Sequence, residues 1–139
     1  MDYYQNMIQA TNEKNSFMLH NGIRLTKMEK DHAVVEADLT RVNRNLYGAV
    51  HGGMFLTMAD CASGGAARSN GTRYVTVSNS FEFFRNTKDD HLIAEGWVKS
   101  RGTTICIVEV EIRDTSGKVL CGGTFTMFCV GKQDRLADD

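Results

Sequence analysis

Residues 54–67 are almost wholly apolar or small, and Met54, Phe55, Leu56, Met58, Ala59, Cys61, Ala62, Ala66 and Ala67 fall around the full circle of a helix. A helix without a polar face is predicted to be buried on every side, so the rest of the chain has to surround it. The run Ser69-Asn70-Gly71 ends it, with Asn and Gly both suited to a left-handed cap.

The flanking sequence supplies strands. From Gly22 to Leu39 the pattern alternates, with Ile23 and Leu25 and then Ala33, Val35, Ala37 and Leu39 apolar about the polar turn Glu29-Lys30-Asp31, which predicts a β-hairpin. Residues 73–85 place Val75, Val77, Phe81 and Phe83 on one face and Thr76, Ser78, Ser80 and Glu82 on the other. Residues 91–100, 104–113 and 118–130 read as three more strands, joined by Arg101-Gly102-Thr103 and Asp114-Thr115-Ser116-Gly117. Residues 40–50 have no period and read as a loop, and residues 3–19 carry a loose helical spacing that predicts a short N-terminal helix. The expected architecture is α+β: an antiparallel sheet of about six strands wrapped around one long central helix.

At 139 residues the chain is expected to form one domain over residues 1–139, with a core that needs neither disulfide nor structural metal. Lys and Arg number 16 against 17 Asp and Glu, which argues against nucleic acid or an anionic membrane as partner. Cys61, Cys106, Cys121 and Cys129 form no C-x-x-C pair and read as free thiols. The N-terminus lacks the basic start and apolar run of a secretory signal, and no stretch approaches a membrane span, so a cytoplasmic location is expected. The wholly apolar helix and the absence of proline from the strands favour pairing with a second subunit.

Between His51 and Arg68 the only ionisable side chain other than a thiol is Asp60. A carboxylate buried in a helix is costly without a hydrogen-bond partner, and one of raised proton affinity is what a general base near neutral pH requires. The plainer reading is an Asp that satisfies a buried backbone or hydroxyl group. At the start of the same helix, Gly52 and Gly53 expose backbone N–H groups at the positive end of the dipole, where they can meet a developing oxyanion or simply form a tight entry turn. Eight residues separate Gly52 from Asp60, about 12 Å along a helix axis, too far for both to touch one reacting carbon. Joint action therefore requires Asp60 from a neighbouring subunit, with two antiparallel helices about a two-fold axis.

The run Asn45-Leu-Tyr-Gly48-Ala-Val-His51-Gly52-Gly53-Met-Phe-Leu-Thr-Met-Ala59-Asp60, followed by Val75-Thr76-Val77-Ser78-Asn79-Ser80-Phe81-Glu82-Phe83-Phe84-Arg85, resembles the signature of the hotdog-fold acyl-CoA thioesterases of the phenylacetic-acid-degradation type. The resemblance implies a hotdog fold and hydrolysis of an acyl-CoA thioester. It assigns Asp60 as general base or nucleophile, the Gly52 N–H as oxyanion donor, Asn45 as an amide that holds water or substrate, and Thr76 as a hydroxyl that holds the attacking water. His51 falls beside the thioester, with an orienting role as open as a chemical one. Gly53, Met54, Phe55, Met58 and Arg85 are the expected substrate-binding residues; Arg68 and Arg73 are further candidates for meeting phosphates, although a solvated surface is the better reading for each of the three arginines. No metal or separate cofactor is implied, since coenzyme A is part of the substrate. The implied assembly is a homodimer, further paired as a dimer of dimers. Many relatives carry Arg-Pro after the phenylalanines, whereas this chain reads Arg85-Asn86, which predicts a less firmly held strand end.

Two other functions fit less well. A hydratase or dehydratase acting on acyl thioesters uses a loop His with a helix acid, as in His51 with Asp60, but its loop is proline-bearing and this chain has no proline. A non-catalytic acyl-CoA sensor is expected to carry a regulatory module, for which 139 residues leave no room.

Overall fold

The computed structural model describes residues 2–132. A capping box between Asp2 and Gln5 starts helix α1 (Tyr3–Lys14), and Asn15 ends it and caps the short α2 (Ser16–His20) by accepting from the Met18 N–H. The expected single N-terminal helix is thus two, broken at Asn15. Strands β1 (Ile23–Glu29) and β2 (His32–Asp38) form the predicted hairpin, with Asp31 at φ 60° in its turn. A 3-10 turn over Arg41–Asn43 leads to the central helix α3 (Gly52–Arg68). Four strands complete the described chain: β3 (Thr72–Phe83), β4 (His91–Arg101), β5 (Ile105–Asp114) and β6 (Val119–Lys132).

The six strands form one sheet in the order β1-β2-β4-β5-β6-β3, every neighbour antiparallel. The sheet curls around α3, which packs chiefly on β4, β2 and β5. Small residues permit the close approach: a Cβ on Gly96 would lie 2.9 Å from the Ala62 carbonyl oxygen, and one on Gly65 2.9 Å from the Ala33 Cβ. Phe55, Met58, Leu92, Val108, Ile112, Leu120 and Phe125 fill the space between helix and sheet. On the β1 edge α1 is pinned by Asn12, whose side chain accepts from the Leu25 N–H and donates to the Leu25 carbonyl, both at 2.8 Å.

Arg101, which the sequence places in a turn, closes β4 and caps α3. Its guanidinium donates to the carbonyls of Ala66 at 3.2 Å and Ala67 at 2.9 Å, to the Asp31 carboxylate at 2.9 and 3.1 Å, and to the Tyr74 hydroxyl at 3.2 Å. A cation thereby joins Ser69, whose Oγ and N–H also donate to Ala66, in satisfying the last carbonyls at the negative end of the helix dipole.

Two expectations need correction. First, α3 is not buried on every side. Met54, Phe55, Met58, Ala59, Ala62, Ser63, Gly65, Ala66 and Ala67 are buried, whereas Gly53, Leu56, Thr57, Asp60, Cys61, Gly64 and Arg68 form an exposed to half-exposed stripe. One sheet reaches only one side of the helix, and apolar periodicity cannot tell a face covered by the same chain from one left for another. Second, the strict alternation expected along β3 fails. The register against β6 shifts between Thr76 and Ser78, leaving Val77 as a bulge. Thr76 therefore comes to the helix side together with Phe81 and Phe83, which contact Phe125 and Phe55, instead of opposite them.

Candidate active site

The open stripe of α3, the start of that helix and strand β3 enclose a cleft of about 620 Å³, lined by Asn15, Phe17, Met18, Gly53, Leu56, Thr57, Asp60, Cys61, Asn79 and Phe125. Asp60 stands in it as an exposed side chain, so the expected buried carboxylate is replaced by one at the surface of the single chain. Its partner is Thr76, whose Oγ1 donates to Asp60 Oδ1 at 2.6 Å. The bulge at Val77 makes this contact possible, because it turns Thr76 toward the helix while Asn79 still faces the same cleft. Cys61 beside it is not a competing nucleophile: burial, with the Asp60 charge adding to it, pushes the thiol up to about 12, so it stays protonated at neutral pH.

The helix start is organised by His51. Its backbone is extended at φ −64° and ψ 135°, and its Nδ1 accepts the Gly53 N–H at 2.8 Å, so His51 is the N-cap of α3. Gly53 is thereby occupied. The Met54 and Phe55 N–H groups donate to the His51 carbonyl at 2.9 and 3.3 Å, whereas the Gly52 N–H donates to nothing among the described residues. Of the two glycines, Gly52 is the one with a donor left for a ligand.

Asn45 Oδ1 accepts from the N–H groups of Tyr47 and Ala49 at 2.9 and 3.1 Å, which shapes the loop and leaves its Nδ2 uncommitted. Asn43, buried in the same segment, holds the Thr40 N–H and the Asn21 carbonyl. The aperiodic loop is thus ordered by amide side chains that stand in for a ladder.

The expected substrate-binding residues divide. Gly53 lines the cleft, and Met54 lines a smaller adjoining one of about 280 Å³ with Phe17 and His51. Phe55 and Met58 are corrected: both are buried in the core under the helix, 2 % and 0 % exposed, and line neither cleft. Phe17, 65 % exposed, Asn79 and Phe125 take the apolar and polar lining roles that the sequence reading gave to helix residues. Arg85 and Arg73 are exposed and lie outside this cleft, and Arg68 lies on the open stripe with its Nε buried and unpaired. A further cleft of about 660 Å³, away from Asp60, is lined by Arg44, Tyr47, Asn86 and Lys88 among others. Among the described residues no group of three or more His, Cys, Asp or Glu is placed to hold a metal, and no helix is long and apolar enough to cross a membrane.

A six-stranded antiparallel sheet curled around one helix defines a hotdog-fold protein. Residues 47–121 match the profile of the Thioesterase superfamily, and the chain belongs to that family.

Acyl-coenzyme A thioesterase PaaI of Escherichia coli K12 is 28% identical over 115 residues, 76% of this chain and 82% of that protein. The solved E. coli PaaI structure superposes with a TM-score of 0.85 at 25% identity, covering 92% of this chain and 93% of that one. A hypothetical thioesterase of Streptococcus pneumoniae TIGR4, solved with coenzyme A, has a TM-score of 0.75 at 33% identity over 79% of this chain and 90% of that one. The same streptococcal protein has been solved with one Asp, and separately one Thr, replaced by Ala; the two positions are 16 apart, the spacing of Asp60 and Thr76 here. The smu.793 protein of Streptococcus mutans UA159, bound to acetyl CoA, has a TM-score of 0.75 at 30% identity over 79% of this chain and 90% of that one.

Proposed function

We propose that this protein hydrolyses an acyl-CoA thioester to a free carboxylic acid and coenzyme A. The observation that carries this reading is the Asp60 carboxylate held by Thr76 in an open cleft, on the same helix whose first residue offers an unpaired N–H. Streptococcal relatives solved with coenzyme A and acetyl CoA support the substrate class.

Asp60 either takes a proton from the water that attacks the thioester carbon or attacks that carbon itself, and coenzyme A leaves as the thiol. Thr76 occupies Oδ1 and leaves Oδ2 free, either to take a proton from water or to attack the thioester carbon. The Gly52 N–H, at the positive end of α3, stabilises the oxyanion as the carbonyl becomes tetrahedral. Asn45 offers its free Nδ2 to water or substrate. The reaction calls on no separate cofactor. Thioester hydrolysis is favoured over hydration chemistry by the match of residues 47–121 to the Thioesterase superfamily.

Each site is shared between two subunits in this proposal, Gly52 from one and Asp60 from the other, within a homodimer that pairs again into a dimer of dimers. The open stripe of α3 supports the dimer, with Leu56, Cys61 and Gly64 half-exposed and the buried Nε of Arg68 lacking an acceptor.

Thiol release from a panel of acyl-CoAs tests the assignment. Asp60→Asn is expected to lower turnover by about 100-fold or more. Turnover equal to that of the unaltered protein would remove Asp60 from the mechanism.

A further inference from the structure

Asn86 lies beyond the end of β3, outside the cleft that holds Asp60. Its side chain nevertheless makes a pair of hydrogen bonds to one residue: Oδ1 accepts the Val50 N–H at 3.1 Å and Nδ2 donates to the Val50 carbonyl at 3.0 Å. The geometry copies a rung of antiparallel sheet, with an amide side chain in place of a neighbouring strand. Asn86 is itself anchored, because the N–H groups of Phe84 and Arg85 both donate to the Leu120 carbonyl at 2.9 and 3.2 Å. Its Oδ1 also accepts the Thr87 N–H at 2.9 Å, which fixes the amide's orientation. The strand end is firmly held after all, by a side chain instead of a ring.

The grip matters because Val50 is only two residues before Gly52. A peptide unit is planar, so pinning both of its polar ends fixes the plane. In the Val50–His51 unit the carbonyl is held by Asn86, and the His51 N–H donates to the Asn43 carbonyl at 2.9 Å. The next unit, His51–Gly52, has its carbonyl committed to the Met54 and Phe55 N–H groups, and its N–H is the free donor of Gly52. Two rigid planes in succession therefore aim that donor, and only the first is held from outside the helix.

We propose that Asn86 is a positioning residue for the Gly52 N–H, the clamp that ties the oxyanion donor to the β3–β6 end of the sheet. This rests on the oxyanion role proposed for Gly52. Strand β3 then serves both halves of the chemistry: Thr76 within it orients Asp60, and Asn86 just beyond it orients Gly52. An oxyanion donor is effective only at hydrogen-bond distance from the place where charge develops, so a small drift of the loop costs rate more than binding.

The test uses the full-length protein with Asn86→Ala and Asn86→Asp, the second keeping the acceptor for the Val50 N–H while losing the donor to its carbonyl. Steady-state thiol release is measured beside amide hydrogen exchange at Val50 and thermal midpoints. In Asn86→Ala, kcat is expected to fall about 10- to 100-fold with KM changed less than about threefold, and Val50 to exchange faster. Asn86→Asp, whose second carboxylate oxygen would face the Val50 carbonyl oxygen, is expected to lose at least as much as Asn86→Ala. Free exchange at Val50 with unchanged kcat overturns the clamp's role. A kcat loss that disappears on assay well below the melting midpoint also overturns it, since that is a structural effect alone. If the unaltered protein releases no thiol from any acyl-CoA, the hydrolase reading fails and takes the proposal with it. An active enzyme indifferent to Asn86 defeats the proposal only.

Discussion

At the scale of single residues, the site depends on which polar groups are already engaged. His51 is the most reactive side chain by type in the His51-Gly52-Gly53 run, yet its Nδ1 is committed to the Gly53 N–H. That bond uses a lone pair on Nδ1, so the capping imidazole carries its proton, if it has only one, on Nε2. The role is one that Asn also fills well. His51→Asn is accordingly expected to keep most of the turnover, whereas His51→Ala loses the cap, about 1 kcal/mol of stability, and part of kcat. Thermal melts and thiol release on both variants check this. A general acid or base at His51 predicts a loss of about 10²- to 10⁴-fold in either variant, and such a loss in His51→Asn would restore His51 to the chemistry. Asp60 likewise keeps one free atom, Oδ2, because Thr76 engages only Oδ1.

At the scale of elements, the strands are held on their outer face by charged side chains as well as by the ladder. His91 at the start of β4 places Nδ1 2.8 Å from Asp38 Oδ1 and Nε2 2.9 Å from Glu36 Oε1, both on β2. With a carboxylate at each nitrogen the ring donates twice, and the bonds to Asp38 first and Glu36 second raise His91 above the ordinary histidine value. A raised folded-state value means stability that is fully present below the unfolded pKa, about 6.5, and that disappears as pH rises through the folded value. The gap in thermal midpoint between the unaltered protein and His91→Gln is therefore expected to be widest near pH 6 and to shrink toward pH 9. A gap that widens with pH contradicts an imidazolium clamp. The elements themselves were largely legible from sequence, because period-2 alternation and a continuous small-apolar run are local signals: the β1–β2 hairpin, α3 and the later strands lie close to the expected bounds. The break at Asn15, the bulge at Val77 and the reach of Arg101 to the end of α3 were not legible. The last two depend on contact with a distant segment, as Thr76 with Met127 and Ser78 with Thr126, whereas the break at Asn15 is a local cap on the Met18 N–H that a loose helical spacing does not reveal. The same blindness hid Asn79 from the cleft lining and put Phe55 and Met58 there, where the fold buries both in the core.

At the scale of the whole molecule, the proposed site has its two halves about 12 Å apart along one helix, and a sheet that leaves one side of that helix open. Variants that each disable one half can decide whether the halves meet across subunits. Asp60→Asn disables the carboxylate. Gly52→Pro deletes the N–H while respecting the backbone, since Gly52 is the first helical residue, where proline is favoured, and His51 is already extended. Space is available, because a Cβ at Gly52 meets nothing nearer than Phe83 Cε1 at 4.0 Å. Each variant alone is expected to lose about 100-fold or more in turnover. In a mixed dimer with the site shared, one site combines both defects and the other combines the intact Gly52 of one chain with the intact Asp60 of its partner. Unfolding and refolding the two together in equal amounts makes half of the dimers mixed, each with one of two sites intact, so about a quarter of the original activity should return. If each site were built from one chain, every site in the mixture would carry a defect and no activity would return. Light scattering on the refolded mixture, showing a dimer or a multiple of it, separates that result from failed assembly.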